Sequence, residues 1–151
     1  MSGRVVVFDS SAMLALLKSE PGGETVWRLV RDRSVTTYAH AVNLCEVLYD
    51  FGPVPLNLER ARRGLQVLSD AKVIERNDMD ADFWRDIAFL IAERRAQAPR
   101  MEKPREKPKL ALGDAFGIAL SRRLGCEFVT ADKTEIEPLQ SAGMCRVEFI
   151  R

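Results

Sequence analysis

Four consecutive apolar residues, Val5-Val6-Val7-Phe8, run directly into an acid, Asp9. A run that is apolar at every position fits a strand buried on both faces, as inside a parallel sheet covered by helices. Glu127-Phe128-Val129, followed closely by Asp132, repeats the arrangement near the other end of the chain. In an open parallel sheet both runs end on one rim, the carboxyl edge where such sheets bind ligands. Glu46 and Asp114 fall just inside helices that belong to the same rim, so four acids map to one topological edge.

The rest of the chain alternates between the two periodicities. Helices are expected over Ser10 to Lys18, Glu24 to Arg31, about Ala41 to Asp50, Leu58 to Ser69, Asp80 to Gln97, Leu112 to Leu124 and Glu135 to Ala142. Strands are expected over Ser34 to Tyr38, Lys72 to Glu75 and Arg146 to Ile150 in addition to the two above. Gly52-Pro53 would stop the third helix, and Gly125 stands where a helix C-terminus favours glycine. Strands alternating with helices specify an α/β fold, a three-layer α/β/α sandwich around a central parallel sheet. Residues 1–151 are expected to be one domain, since no repeat or composition break divides them and the length suffices for a single core.

A net charge of +1 excludes a globally basic nucleic-acid-binding surface, so any such attraction must be local. It is concentrated at residues 98–109, which hold three prolines, no aromatic residue, and Arg100, Lys103, Arg105, Lys107 and Lys109. A mobile loop is expected there; it would meet phosphates through charge and be equally consistent with a solvated loop. Three cysteines without paired spacing fit reduced thiols rather than a disulfide framework. Asp9 and two serines interrupt the N-terminal apolar stretch, and nothing approaches a membrane span, so a soluble, cytoplasmic protein is expected.

Each acid alone admits an ordinary role. Asp9 and Asp132 follow strands and could cap the next helix. Asp114 lies in a first turn, where an acid suits the helix dipole. Asn43, Glu46 and Asp50 share an i, i+3, i+7 stripe that could simply be solvated. Their joint placement is harder to explain that way. At ~5 Å and an effective dielectric of ~20, two like charges repel by roughly 3 kcal/mol, so carboxylates gathered on one rim need a positive partner. Hard divalent cations such as Mg²⁺ or Mn²⁺ prefer an all-oxygen ligand set of this kind.

The segments VVVFDSSAMLALL, AVNLCEVLYDFG and LALGDAFGIALSRRLGCEFVTAD, in this order and spacing from Arg4 to about Asp132, resemble a PIN-domain nuclease of the VapC toxin type. The resemblance implies a PIN-like fold and a Mg²⁺- or Mn²⁺-dependent endoribonuclease holding one or two ions. Asp9, Glu46 and Asp114 match the three core metal-binding acids, and Asp132 matches the more variable fourth. Ser10 or Ser11 and Thr130 match hydroxyl positions that support such a site. The resemblance further implies an RNA substrate, a small antitoxin protein that covers the acidic cleft, and a homodimer. The basic stretch before Leu110 is longer than the pattern, and the tail KTEIEPLQSAGMCRVEFIR resembles only a subset of such proteins.

Helical spacing adds that Asn43 can hydrogen-bond Glu46. The lone histidine, His40, excludes a two-histidine nuclease mechanism and is expected to support a helix start. Phosphatases of the haloacid-dehalogenase type would carry a second aspartate at position 11, which is Ser11, and response-regulator receivers would carry an acidic pair at the end of the first strand. The competing expectation is a PIN-fold module that binds RNA or protein without cutting; retention of all four acids speaks against it.

Overall fold

The structure, a computed structural model, describes residues 3–51, 58–97 and 109–151. Along the chain it forms β1 (Arg4–Phe8), α1 (Ser10–Leu17), α2 (Gly23–Arg31), β2 (Val35–His40), α3 (Ala41–Asp50), α4 (Leu58–Asp70), β3 (Ile74–Arg76), α5 (Ala81–Ala96), α6 (Leu112–Leu124), β4 (Glu127–Thr130), α7 (Lys133–Ser141) and β5 (Val147–Phe149). The strands make one sheet in the order β3-β2-β1-β4-β5, and every neighbouring pair is parallel. Helices therefore cover both faces, as the unbroken apolar runs require.

Alternate residues of β1 feed two cores. Val6 and Phe8 join Met13, Val26, Leu29, Val47, Leu68 and Val129 beneath α1–α4. Val7 joins Phe83, Leu90, Ile118, Leu120, Phe128 and Ile136 beneath α5–α7. The chain winds outward from β1 through β2 to β3, then returns to lay β4 on the other side of β1. The crevice of this sheet thus lies at the carboxyl ends of β1 and β4, where the winding reverses. Pairing of Phe8 with Val129 sets Asp9 beside Thr130 at that crevice.

Most boundaries follow the sequence reading, and the exceptions have local causes. Gly125 ends α6 in the left-handed conformation (φ +64°), with Gly125 N–H donating to Arg122 O and Cys126 N–H to Ser121 O. The same pair of bonds closes α4: Lys72 N–H donates to Ser69 O and Val73 N–H to Leu68 O. Here a lysine takes the left-handed position (φ +63°), so β3 begins at Ile74 rather than Lys72. Helix α7 begins at Lys133, two residues before the expected Glu135. The Gly52-Pro53 stop lies outside the described residues.

His40 caps α3: its Nδ1 accepts the Val42 N–H at 3.1 Å, and its Nε2 donates to Asp78 O at 2.9 Å. Its ring stacks on Phe83 with centroids 5.4 Å apart. Arg123, at the end of α6, pairs with Asp78 and Asp80, and Arg76 pairs with Asp78, locking the β3–α5 connection onto α6. The three cysteines are free thiols, with Cys126 and Cys145 buried. Among the described residues no helix is long and apolar enough to cross a membrane.

Candidate metal centre

The first acid is fixed by the two elements it joins. Asp9 is buried at the end of β1 and caps α1, its Oδ1 accepting the Ala12 N–H at 2.8 Å and the Ser11 hydroxyl at 2.7 Å. Its Oδ2 accepts the hydroxyl of Thr130, the last residue of β4. Thr130 Oγ1 in turn accepts the Asp132 N–H at 2.9 Å, and Ser11 Oγ accepts the Ala131 N–H at 2.9 Å. Two hydroxyls thus orient Asp9 and the turn carrying Asp132 together. Of the two serines beside Asp9, Ser11 makes these bonds; Ser10 forms none among the described residues.

Asp114 arrives from a different direction. Residues Gly113 to Ser121 of α6 are buried without interruption, so an acid in the first turn is carried inward. Glu46 comes from the middle of α3, three residues after fully buried Asn43. The Asn43 side-chain amide donates to Glu46 Oε1 at 2.9 Å and to Gly113 O at 3.0 Å. Glu46 therefore lies against the residue that precedes Asp114.

Carboxylate oxygens of Asp114, Asp132 and Glu135 all lie within 4.8 Å of one another. Glu135 is absent from the sequence-based site. It stands three residues after Asp132 in the first turn of α7, and that i, i+3 spacing is the signal the sequence offers for it. Its Oε2 also accepts the Ala111 N–H ahead of α6 at 3.3 Å, and Arg94 Nε donates to its main-chain oxygen at 2.9 Å.

The electrostatics match this crowding. Burial raises the Asp9 carboxyl to about 6, against hydrogen bonds from Thr130, Ala12 and Ser11 that lower it; the Asp132 charge adds to the rise. Asp114 is driven far above the carboxylate range by burial first, then by the charge of Asp9 and by the hydrogen-bonding and charge of Asp132. Among the described residues, no lysine or arginine forms an ion pair with Asp9, Glu46, Asp114, Asp132 or Glu135. Of the basic segment, Lys109 is exposed, while Arg100, Lys103, Arg105 and Lys107 lie outside the described residues.

The family model of the PIN domain matches residues 6–136. The chain belongs to the PIN-domain family, and its all-parallel five-stranded sheet with helices on both faces is the PIN-like α/β/α sandwich. Solved structures with the same fold come from VapBC toxin–antitoxin systems. VapBC-1 of nontypeable Haemophilus influenzae aligns at TM-score 0.68 and 13% identity over 97% of this chain and 98% of that one. DNA-bound VapBC from Salmonella typhimurium aligns at TM-score 0.66 and 17% identity over 98% and 99%. VapC20 of Mycobacterium tuberculosis, a sarcin-ricin loop cleaving toxin, aligns at TM-score 0.60 and 16% identity over 91% and 95%. At such identities the likeness establishes the fold. No curated protein matches the sequence.

Proposed function

We propose that this chain is a metal-dependent endoribonuclease, the toxin of a toxin–antitoxin pair, using Mg²⁺ or Mn²⁺. The observation that carries the reading is the convergence of acids from three separate parts of the chain, Asp9 after β1, Asp114 on α6 and Asp132 with Glu135 after β4, without a balancing basic side chain among the described residues. The donor set is carboxylate oxygen alone, which suits a hard cation. Asp9, Glu46, Asp114 and Asp132 would hold it, with Glu135 added from the geometry. When bound, one or two such ions acidify a coordinated water and polarise a phosphodiester.

The chain's own groups prepare the site. Ser11 and Thr130 keep Asp9 aimed into the crevice, and burial keeps bulk water from dispersing the charge of Asp9 and Asp114. His40, buried and engaged in capping α3, is not a general base in this scheme. The basic residues of 98–109 would attract the phosphates of RNA, releasing counterions. A small antitoxin that places a basic side chain among the carboxylates would satisfy the same electrostatic demand as the metal, and the fold shared with VapBC systems supports such a partner. We further propose a homodimer and a cytoplasmic location.

Purified protein should cleave members of an RNA panel with Mg²⁺ or Mn²⁺ and not with EDTA, and Asp114→Asn should be inactive while folded. Equal cutting by that variant would overturn the reading. RNA binding without cutting under any metal would favour a non-catalytic PIN module instead.

A further inference from the structure

We propose that Asn43 and Gly113 are positioning residues that together fix the Glu46 carboxylate for cation binding. This rests on the metal-nuclease reading and names how one of its ligands is held. Asp9 and Asp114 are anchored by their own backbone, at a strand end and in a helix first turn. Glu46 is mid-helix, half-exposed, and has three rotatable side-chain bonds, so something else must hold it.

Two features of the surrounding structure do so. Both amide hydrogens of Asn43 are used, one on Glu46 Oε1 and one on Gly113 O. Its Oδ1 is buried with no donor among the described residues, beside Gly117. The reversed amide would set that oxygen against a carboxylate oxygen and a carbonyl, so Glu46 itself selects the orientation. On the other side, a Cβ at position 113 would overlap Glu46 Oε1 and come within 2.6 Å of Oε2. Gly113 is not in the left-handed region, so glycine is required there for space rather than backbone conformation. The carboxylate of Glu46 thus lies on the bare backbone of α6, immediately ahead of Asp114, with one oxygen tethered from Asn43.

A purely structural α3–α6 contact gives no reason for a buried amide with an unpaired acceptor, since an apolar side chain would make the contact without one. The arrangement instead preserves Glu46 in one place. Outer partners of metal-ligating groups commonly change metal affinity by about 10–100-fold when removed.

The test is calorimetric titration of Mn²⁺ into the full-length protein, Asn43→Ala, Glu46→Gln and the double variant, with folding checked by circular dichroism. Asn43→Ala should weaken Mn²⁺ binding by about 10-fold or more. The double variant should bind no more weakly than Glu46→Gln alone, because Asn43 acts through Glu46. Unchanged affinity in Asn43→Ala, or losses that multiply in the double variant, would overturn the proposal. Should Asn43→Ala not fold, Gly113→Ala replaces it in the same cycle with the same expected pattern. Wild-type protein that binds no Mn²⁺ would overturn the metal reading itself, a result distinct from wild-type binding with an unaffected Asn43→Ala.

Discussion

Thr130 donates its hydroxyl to Oδ2 of Asp9, joining the carboxyl ends of β4 and β1 at the point where the sheet's winding reverses. The two residues lie 121 positions apart in sequence and meet only through the parallel register that pairs Phe8 with Val129. The bond orients a buried acid, and it lowers that acid's proton affinity against the larger effect of burial.

Thr130→Val tests that role with little change of shape. It leaves the Asp132 N–H and one Asp9 oxygen without their hydroxyl partner. We expect a loss of roughly 1–3 kcal/mol in unfolding free energy, and an Asp9 carboxyl that titrates higher than in wild type. Urea denaturation and a pH titration of the metal-free protein measure the two effects.

The metal-free protein should be most stable in mildly acidic solution. Folded Asp9 binds its proton more tightly than the unfolded chain does, so its contribution is full below the unfolded carboxylate range near pH ~4. That contribution is lost as pH rises through about 6. Asp114, raised by the same burial and by its acidic neighbours, acts in the same direction. Asp78 acts oppositely: hydrogen bonds from Arg76 and then Arg123 hold it well below its usual value, so its contribution is lost as pH falls below the unfolded range. Melting temperatures in EDTA should therefore fall from pH 5 to 8, by less in Asp9→Asn and Asp114→Asn. Added Mn²⁺ should restore most of the loss in wild type at the upper end.

Lys72→Gly should stabilise the fold. A non-glycine residue in the left-handed region is disfavoured by roughly 1–2 kcal/mol, and the extra freedom of glycine in the unfolded chain offsets part of this. A net gain of about 0.5–1 kcal/mol is expected in denaturant unfolding at unchanged m-value. A destabilised variant would mean that the Lys72 side chain contributes more than its backbone strain removes.

Replacing Arg100, Lys103, Arg105 and Lys107 with alanine should weaken RNA binding uniformly across sequences. The slope of log affinity against log salt should become shallower by about 0.7 for each phosphate of single-stranded RNA that is no longer neutralised. An unchanged slope would show that RNA does not bind through this segment.

Legibility in the sequence divides along physical lines. Val5 to Phe8 is readable because a strand buried on both faces needs no alternation, and α6 because Gly125 marks its end. The start of β3 is not, since nothing in the sequence shows a lysine taking the place of a glycine at the close of α4. Topology alone leads the sequence reading to expect Asp9, Glu46, Asp114 and Asp132 on one edge. Choosing Ser11 over Ser10 requires the turn of α1, which directs the second hydroxyl back at Asp9. Glu135 is hidden because the sequence suggests that it opens a helix that in fact starts at Lys133, and the two-residue difference carries its side chain to Asp114 and Asp132. Gly113 has no signature as a packing position: its meaning appears only when α3 is laid across α6.

The most direct measurement is anomalous diffraction from a crystal of the protein grown near neutral pH with Mn²⁺. A manganese peak bounded by the carboxylates of Asp114 and Asp132 with Asp9, Glu46 or Glu135, and absent from Asp114→Asn crystals, is the predicted result. A wild-type crystal with these carboxylates ordered and no peak among them, or a peak that persists unchanged in Asp114→Asn, would contradict the assignment of this crevice as a metal centre.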